Sequence, residues 1–196
     1  MENKITFQGV LSEGIGIGLK NAPSLLGAVI LWILTIWIPY INVGTTIAIA
    51  SIPVALSEGR VISPLFIFDK KYRTIMGEYF MLVGLMAIAI VPAMFFLFVP
   101  AMVISMAWCL AIYILIDKQV SPTQAIVQSN KATLGYKWTI FGVQFLLGLA
   151  AGIFGSVLAL IPYVGPVLNI CVIIVMMVAM LGCNGVIYRK LVKEEA

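Results

Sequence analysis

The sequence predicts an all-α, polytopic membrane protein with six transmembrane helices, and three observations carry that prediction. Hydrophobic residues make up 62% of the chain and charged residues only 10%, against about a quarter charged in an ordinary soluble domain. Every charged residue falls in one of four stretches, Glu2–Lys20, Glu58–Glu78, Asp117–Lys137 and Arg189–Glu195. The blocks between them, Asn21–Ser57, Tyr79–Ile116 and Trp138–Tyr188, carry no charge, and each has room for two helices of the roughly 17–25 residues a bilayer crossing needs. In lipid only helices and closed barrels satisfy their own backbone, and these runs lack the alternation of a barrel strand.

Each apolar block turns once, at Ile38-Pro39-Tyr40, Val99-Pro100 and Ile161-Pro162-Tyr163. The expected spans are 24–39, 42–57, 79–98, 101–117, 138–161 and 166–188. The first two are short, about 24 Å each at ~1.5 Å per residue against a hydrocarbon core of about 30 Å. The first hairpin is therefore expected to be re-entrant or to thin the bilayer. The turn prolines Pro39, Pro100 and Pro162 recur at intervals of about sixty residues, the mark of an internal repeat.

The charged linkers repeat as well. Ser63-Pro64 precedes Gly77 at the same distance as Ser121-Pro122 precedes Gly135, and serine, proline and glycine suit the cap, first turn and exit of a helix. Ser121 with Gln124 also fits a capping box. The expected unit is a short interfacial amphipathic helix followed by a transmembrane hairpin, three times over within one membrane domain of 196 residues, at about 1–57, 58–117 and 118–196. The two clear linker helices are Ser63–Met76 and Ser121–Leu134. Met1–Asn21 is the degenerate first copy, expected to stop at Asn21 ahead of Pro23.

A net charge of +4 beside membrane segments is accounted for by the positive-inside rule rather than by nucleic acid. Both termini and both linkers are then cytoplasmic. No cleavable signal peptide is expected, because Met1–Lys20 contains Glu2 and Glu13 and no apolar core with a cleavage site. Trp37, Tyr40, Phe98 and Tyr163 are expected at the far interface, and Tyr79, Tyr136, Trp138 and Tyr188 at the near one.

The residues that could carry chemistry are few. The chain has no histidine, which removes the usual base, proton shuttle and metal ligand. No metal site or cofactor is expected, since Cys109, Cys171 and Cys183 lie inside spans without metal-ligand spacing. Gly14-Ile15-Gly16-Ile17-Gly18 lacks the spacing and preceding strand of a phosphate loop, and is expected to be mobile or closely packed. Gly148, Gly152 and Gly155 with Ala151 form a small-residue face suited to close packing within the chain, contact with a second copy being the alternative.

Lys70, Lys71, Arg73, Lys131, Lys137, Arg189, Lys190 and Lys193 make a basic rim suited to anionic lipid headgroups. Thr45, Thr46, Gln144, Asn169 and Asn184 are the neutral polar groups that could line a pathway, with Gln144 and Asn184 positioned to bond each other. Asp117-Lys118 marks the exit of the fourth span, where the acid could organise the helix that follows.

Ile116-Asp117, Ala125-x-x-x-Ser129, Thr133-x-Gly135 and Phe141 resemble the six-span membrane domain of some bacterial glycerophosphoryl diester phosphodiesterases and of related stand-alone membrane proteins of unknown function. The likeness extends to the preceding hairpin and the Tyr188-Arg189 ending. It implies the six-span architecture and no activity, because hydrolysis in that family belongs to a separate soluble domain rich in His and acidic residues, which nothing in this chain matches. The expected function is a non-enzymatic inner-membrane protein, a lipid-interacting scaffold or accessory subunit. Anionic lipids are its expected partners, with a homo-oligomer or larger membrane complex open. The alternative is a small permease or oligomeric channel.

Overall fold

The computed structural model describes residues 5–59, 62–96, 98–161 and 164–194, which leaves the turn residues Pro162 and Tyr163 outside. The described residues are helical, with no strand among them: α1 (Phe7–Leu34), α2 (Pro39–Ala50), α3 (Ile52–Ser57), a 3-10 turn (Pro64–Phe68), α4 (Lys71–Thr74), α5 (Met76–Phe96), α6 (Phe98–Trp108), α7 (Ala111–Lys118), α8 (Pro122–Ala132), α9 (Lys137–Ala159), α10 (Gly165–Tyr188) and a π-helical turn (Arg189–Lys193). Six stretches are long and apolar enough to cross a membrane: Phe7–Leu34, Pro39–Ser57, Met76–Phe95, Phe98–Lys118, Lys137–Ala159 and Gly165–Lys193. That is compatible with a multi-pass integral membrane protein.

The expected stop at Asn21 is absent. Residues 7–34 form one helix of 28 residues, about 42 Å at ~1.5 Å per residue, so a single long helix replaces the short first span and its separate preceding helix. Thr6 caps it, its Oγ1 accepting from the Gly9 amide at 3.3 Å. Pro23 lies inside and removes one amide donor, a loss that side chains and neighbouring segments can offset in membrane helices. Asn21, two residues before it, instead ties α1 to the first linker. It is buried, donates from Nδ2 to the Ile17 carbonyl at 3.0 Å, and accepts at Oδ1 from the Ile62 amide at 3.0 Å.

That bond draws the first linker along the side of α1. Pro64 packs 3.1 Å from where a Cβ on Gly27 would stand, and the Arg73 stem lies 2.6 Å from that of Gly44 on α2. Ile67 and Tyr72 are buried by this docking. The single amphipathic helix expected over Ser63–Met76 is therefore a 3-10 turn and a four-residue helix, because side chains docked on two different helices override one helical register. The second linker does form its helix. Ser121 Oγ accepts from the Gln124 amide at 3.4 Å, and Gly135 turns the chain out at φ +86°, in the left-handed region that favours glycine.

α1, α3 and α9 pack against α10, most of whose buried residues lie in its C-terminal half. Lipid tails are as apolar as leucine, so close backbone approach and polar contacts, not burial from water, must hold membrane helices together. Gly14 packs against Cys183, Gly18 against Val178 and Gly182 against the Gly14 carbonyl, so α1 and α10 run antiparallel at backbone contact. The Gly-x-Gly-x-Gly segment is thus closely packed through Gly14 and Gly18. Gly185, on the next face of α10, lies 3.0 Å (again from an added Cβ) from the Pro53 carbonyl of α3. The other candidate small-residue face differs: a Cβ on Gly148 or Gly152 would meet nothing within 4 Å, and only Gly155 has a neighbour there, Asn169. The expectation that this face packs within the chain therefore fails at both leading glycines.

Two helices are interrupted on their way to the charged end. α2 gives way to α3 at Ser51, where Pro53 cannot donate to the chain four residues back. Ser51 Oγ donates to the Ala48 carbonyl at 2.7 Å and lies 3.1 Å from the Tyr72 hydroxyl, which can donate to it. α6 gives way to α7 at Cys109 and Leu110, with neither proline nor glycine present. There α8 reaches in. Ser129 Oγ accepts from the Leu110 amide at 3.2 Å and donates to the Ala107 carbonyl at 2.8 Å, while Thr133 Oγ1 donates to that carbonyl at 3.2 Å. An inserted side chain is a recognised cause of such a break. Ala125, Ser129 and Thr133 are all buried, on one face of α8 at four-residue spacing.

Candidate functional site at the charged end

The four charged stretches meet through side chains. Arg189 and Lys190, following α10, hold Glu13 of α1, with Lys190 Nζ 3.2 Å from Glu13 Oε2. The π-helical turn, a widened form that recurs at functional sites, carries the chain on to Lys193. Lys193 Nζ lies 3.6 Å from Glu58 Oε1 and 3.7 Å from Asp117 Oδ2. One lysine thereby joins the acid beyond α3 to the acid in the last turn of α7.

Asp117 has a second partner. Tyr188 donates its hydroxyl to Asp117 Oδ2 at 2.6 Å, and the Tyr113 and Tyr188 rings meet edge to face at 6.0 Å. Tyr188 is fully buried, so the expectation that it belongs to the near aromatic belt is corrected: its hydroxyl is spent on Asp117. Trp138 at the near side, and Trp37, Tyr40 and Phe98 at the far side, are widely exposed.

Beside this knot lies a cavity of about 400 Å³. Ser51, Val54, Ala55 and Glu58 line it from one helical face. Ile62, Ser63, Phe66, Lys71 and Tyr72 of the first linker close the second side, and Ile116, Asp117 and Gln119 the third. Lys71 Nζ sits 4.9 Å from the centre of the Tyr72 ring. Gln119 ends α7 at φ +50° and donates its amide to the Leu115 carbonyl at 3.0 Å. A non-glycine residue in this left-handed conformation costs about 1–2 kcal/mol, yet the position carries a glutamine whose side chain can reach the cavity.

The basic rim divides. Arg189 and Lys190 are engaged with Glu13, the Arg73 stem is packed on Gly44, and Lys137 Nζ donates to Asn130 Oδ1 at 3.4 Å. Lys70, Lys71 and Lys131 are exposed. Lys118 and Lys131 share a second hollow of about 200 Å³ between α7, α8 and the C-terminal turn.

The five neutral polar residues do not come together. Thr45 Oγ1 is 2.9 Å from Thr35 Oγ1, and Trp32 Nε1 donates to Thr46 Oγ1 at 2.9 Å, both within the α1–α2 pair. Asn169 packs on Gly155 of α9, and Asn184 comes within reach of the Tyr113 hydroxyl rather than Gln144. None of the five lines the large cavity. Among the described residues no group of three or more His, Cys, Asp or Glu side chains could hold a metal ion.

Of the motif residues, Asp117 joins the knot, Ala125, Ser129 and Thr133 seat α8 on the broken helix, and Gly135 forms the exit turn. Phe141 stacks on Phe145 at 5.4 Å. Sequence reasoning missed Glu13, Glu58, Ser51 and Tyr72 as site residues. The one available signal was that Glu58, like Asp117, directly borders an apolar block, where an ionised group needs a partner; nothing comparable marks Glu13, Ser51 or Tyr72. No family model matches this chain, and comparison with curated proteins and with solved structures finds no similar one.

Proposed function

We propose that this chain is a non-enzymatic integral protein of a bacterial inner membrane, built of three helical hairpins, that engages anionic lipid through the basic rim of its charged end. The observation that carries this reading is the ion-pair knot, in which Glu13, Glu58, Asp117 and Arg189–Lys193 bring all four charged stretches to one end. With the charge gathered there, the positive-inside rule assigns that end, and both termini, to the cytoplasm. The likeness of Asp117, Ala125, Ser129, Thr133, Gly135 and Phe141 to a non-catalytic membrane domain agrees with it. So does the pairing of Thr35 with Thr45 and of Trp32 with Thr46, which spends polar groups on helix contacts.

Of the exposed rim lysines, Lys70 and Lys131 are the ones to change, since neither lines the cavity beside the knot. Each basic charge near an anionic surface is worth about 1 kcal/mol. Lys70→Gln with Lys131→Gln should therefore weaken association with phosphatidylglycerol vesicles about thirty-fold and flatten its salt dependence, because screening acts over about 8 Å at physiological ionic strength. Unchanged association at every salt concentration would refute the lipid reading.

A further inference from the structure

We infer that the cavity between α3, the first linker and the end of α7 is a receptor for an ammonium–phosphate zwitterion, the chemistry of an ethanolamine phospholipid headgroup. At about 400 Å³ it falls within the size range of ligand pockets and holds a headgroup without its acyl chains. Its wall carries two carboxylates, Glu58 and Asp117, and one lysine, Lys71. A purely anionic ligand would meet both carboxylates, and a purely cationic one would meet Lys71 with Lys193 already 3.6 and 3.7 Å from the two acids. A zwitterion opposes each charge with its complement.

The acids specify the cationic half. A primary ammonium has three N–H donors, and an ionised carboxylate only accepts. Asp117 meets both Tyr188 and Lys193 through Oδ2, and a carboxylate has capacity for further bonds. A trimethylammonium group has no N–H to offer, so this wall discriminates against choline. Lys71 takes the phosphate, with Ser63 and Gln119 on the same lining. Val54, Ile62 and Ile116 give each of the three sides an apolar residue as well. The cavity shares Lys71 with the basic rim but is told apart by its response: the rim responds to net lipid charge and salt, whereas the cavity responds to methylation of the amine at constant net charge.

The test is lipid binding by the whole purified protein in detergent, read by native mass spectrometry with phosphatidylethanolamine and phosphatidylcholine in competition. The ethanolamine lipid should bind at least about ten-fold more tightly. Ala55→Phe, which fills the cavity without altering charge, should abolish the preference. Ser63→Trp, at an exposed position, should obstruct the mouth without burdening the fold, so misfolding of the first variant leaves the question answerable. Soluble glycerophosphoethanolamine separates the two sources of the group. If it displaces the lipid, the headgroup alone is the ligand; if it does not, the membrane-anchored form is required; both results support the site. Equal binding of the two lipids by the parent protein, or an undiminished preference in a folded Ala55→Phe or Ser63→Trp variant, would overturn the assignment.

Discussion

The two interrupted helices, α2/α3 and α6/α7, reach similar shapes by different means. The first break is local. Pro53 withholds a donor, and Ser51 with Tyr72 adds a polar patch afterwards. The second break has no local cause, and its free backbone groups are taken by Ser129 and Thr133 from α8. Each interruption frees a short terminal helix to end at an acid, Glu58 or Asp117, and Lys193 meets both. A break encoded by a proline survives loss of its patch, whereas one held open by a neighbouring helix does not.

Variants can separate these cases. Ser129→Ala strips two hydrogen bonds from α6/α7 in a buried site. Membrane-protein hydrogen bonds average about 0.6 and reach about 1.7 kcal/mol, so the cost should be about 2 kcal/mol in a reversible unfolding assay in micelles. A cost below that of Ser51→Ala would contradict the distinction. Lys193→Met removes the cation common to both acids. The pairs are partly exposed, so about 1 kcal/mol should be lost, with faster amide exchange at the ends of both α3 and α7 rather than at one. The smallest effects belong to the first break. Ser51→Ala should cost about 0.6 kcal/mol, because the Ala48 carbonyl keeps the Ser51 amide and only the contact with Tyr72 is lost, and Pro53→Ala should leave stability within about 1 kcal/mol while lengthening the protected helix through Ser51.

Charge clustering made the class and the six helices legible, because a charge inside the hydrocarbon is expensive and the sequence keeps it out. The α8 cap was legible in Ser121 and Gly135. The continuity of α1 was not, since Asn21 before Pro23 carries the signal of a helix end and only its buried bond to the Ile62 amide makes it an interior residue. Nor were the fates of the glycines. Gly14 and Gly18 have the same four-residue spacing as Gly148 and Gly152, yet the first pair is pressed against α10 and the second faces open space. Small residues record that a helix can be approached, and the partner comes from elsewhere in the fold. The candidate site was least legible, because Glu13, Glu58, Asp117 and Lys193 lie far apart along the chain and only folding assembles them.

The seam between α1 and α10 also fixes a schedule. Gly14 lies near the start of the chain and its partners Gly182 and Cys183 near the other end. At a synthesis rate of roughly 5–20 residues per second, α1 waits on the order of ten to thirty seconds before the surface it fits has been made. During that interval its glycine face, and the Glu13 carboxylate beside it, must be sheltered by lipid, by the insertion machinery or by transient neighbours. That contact therefore becomes available only once α10 has been made, and closure of this seam is timed by the arrival of that helix.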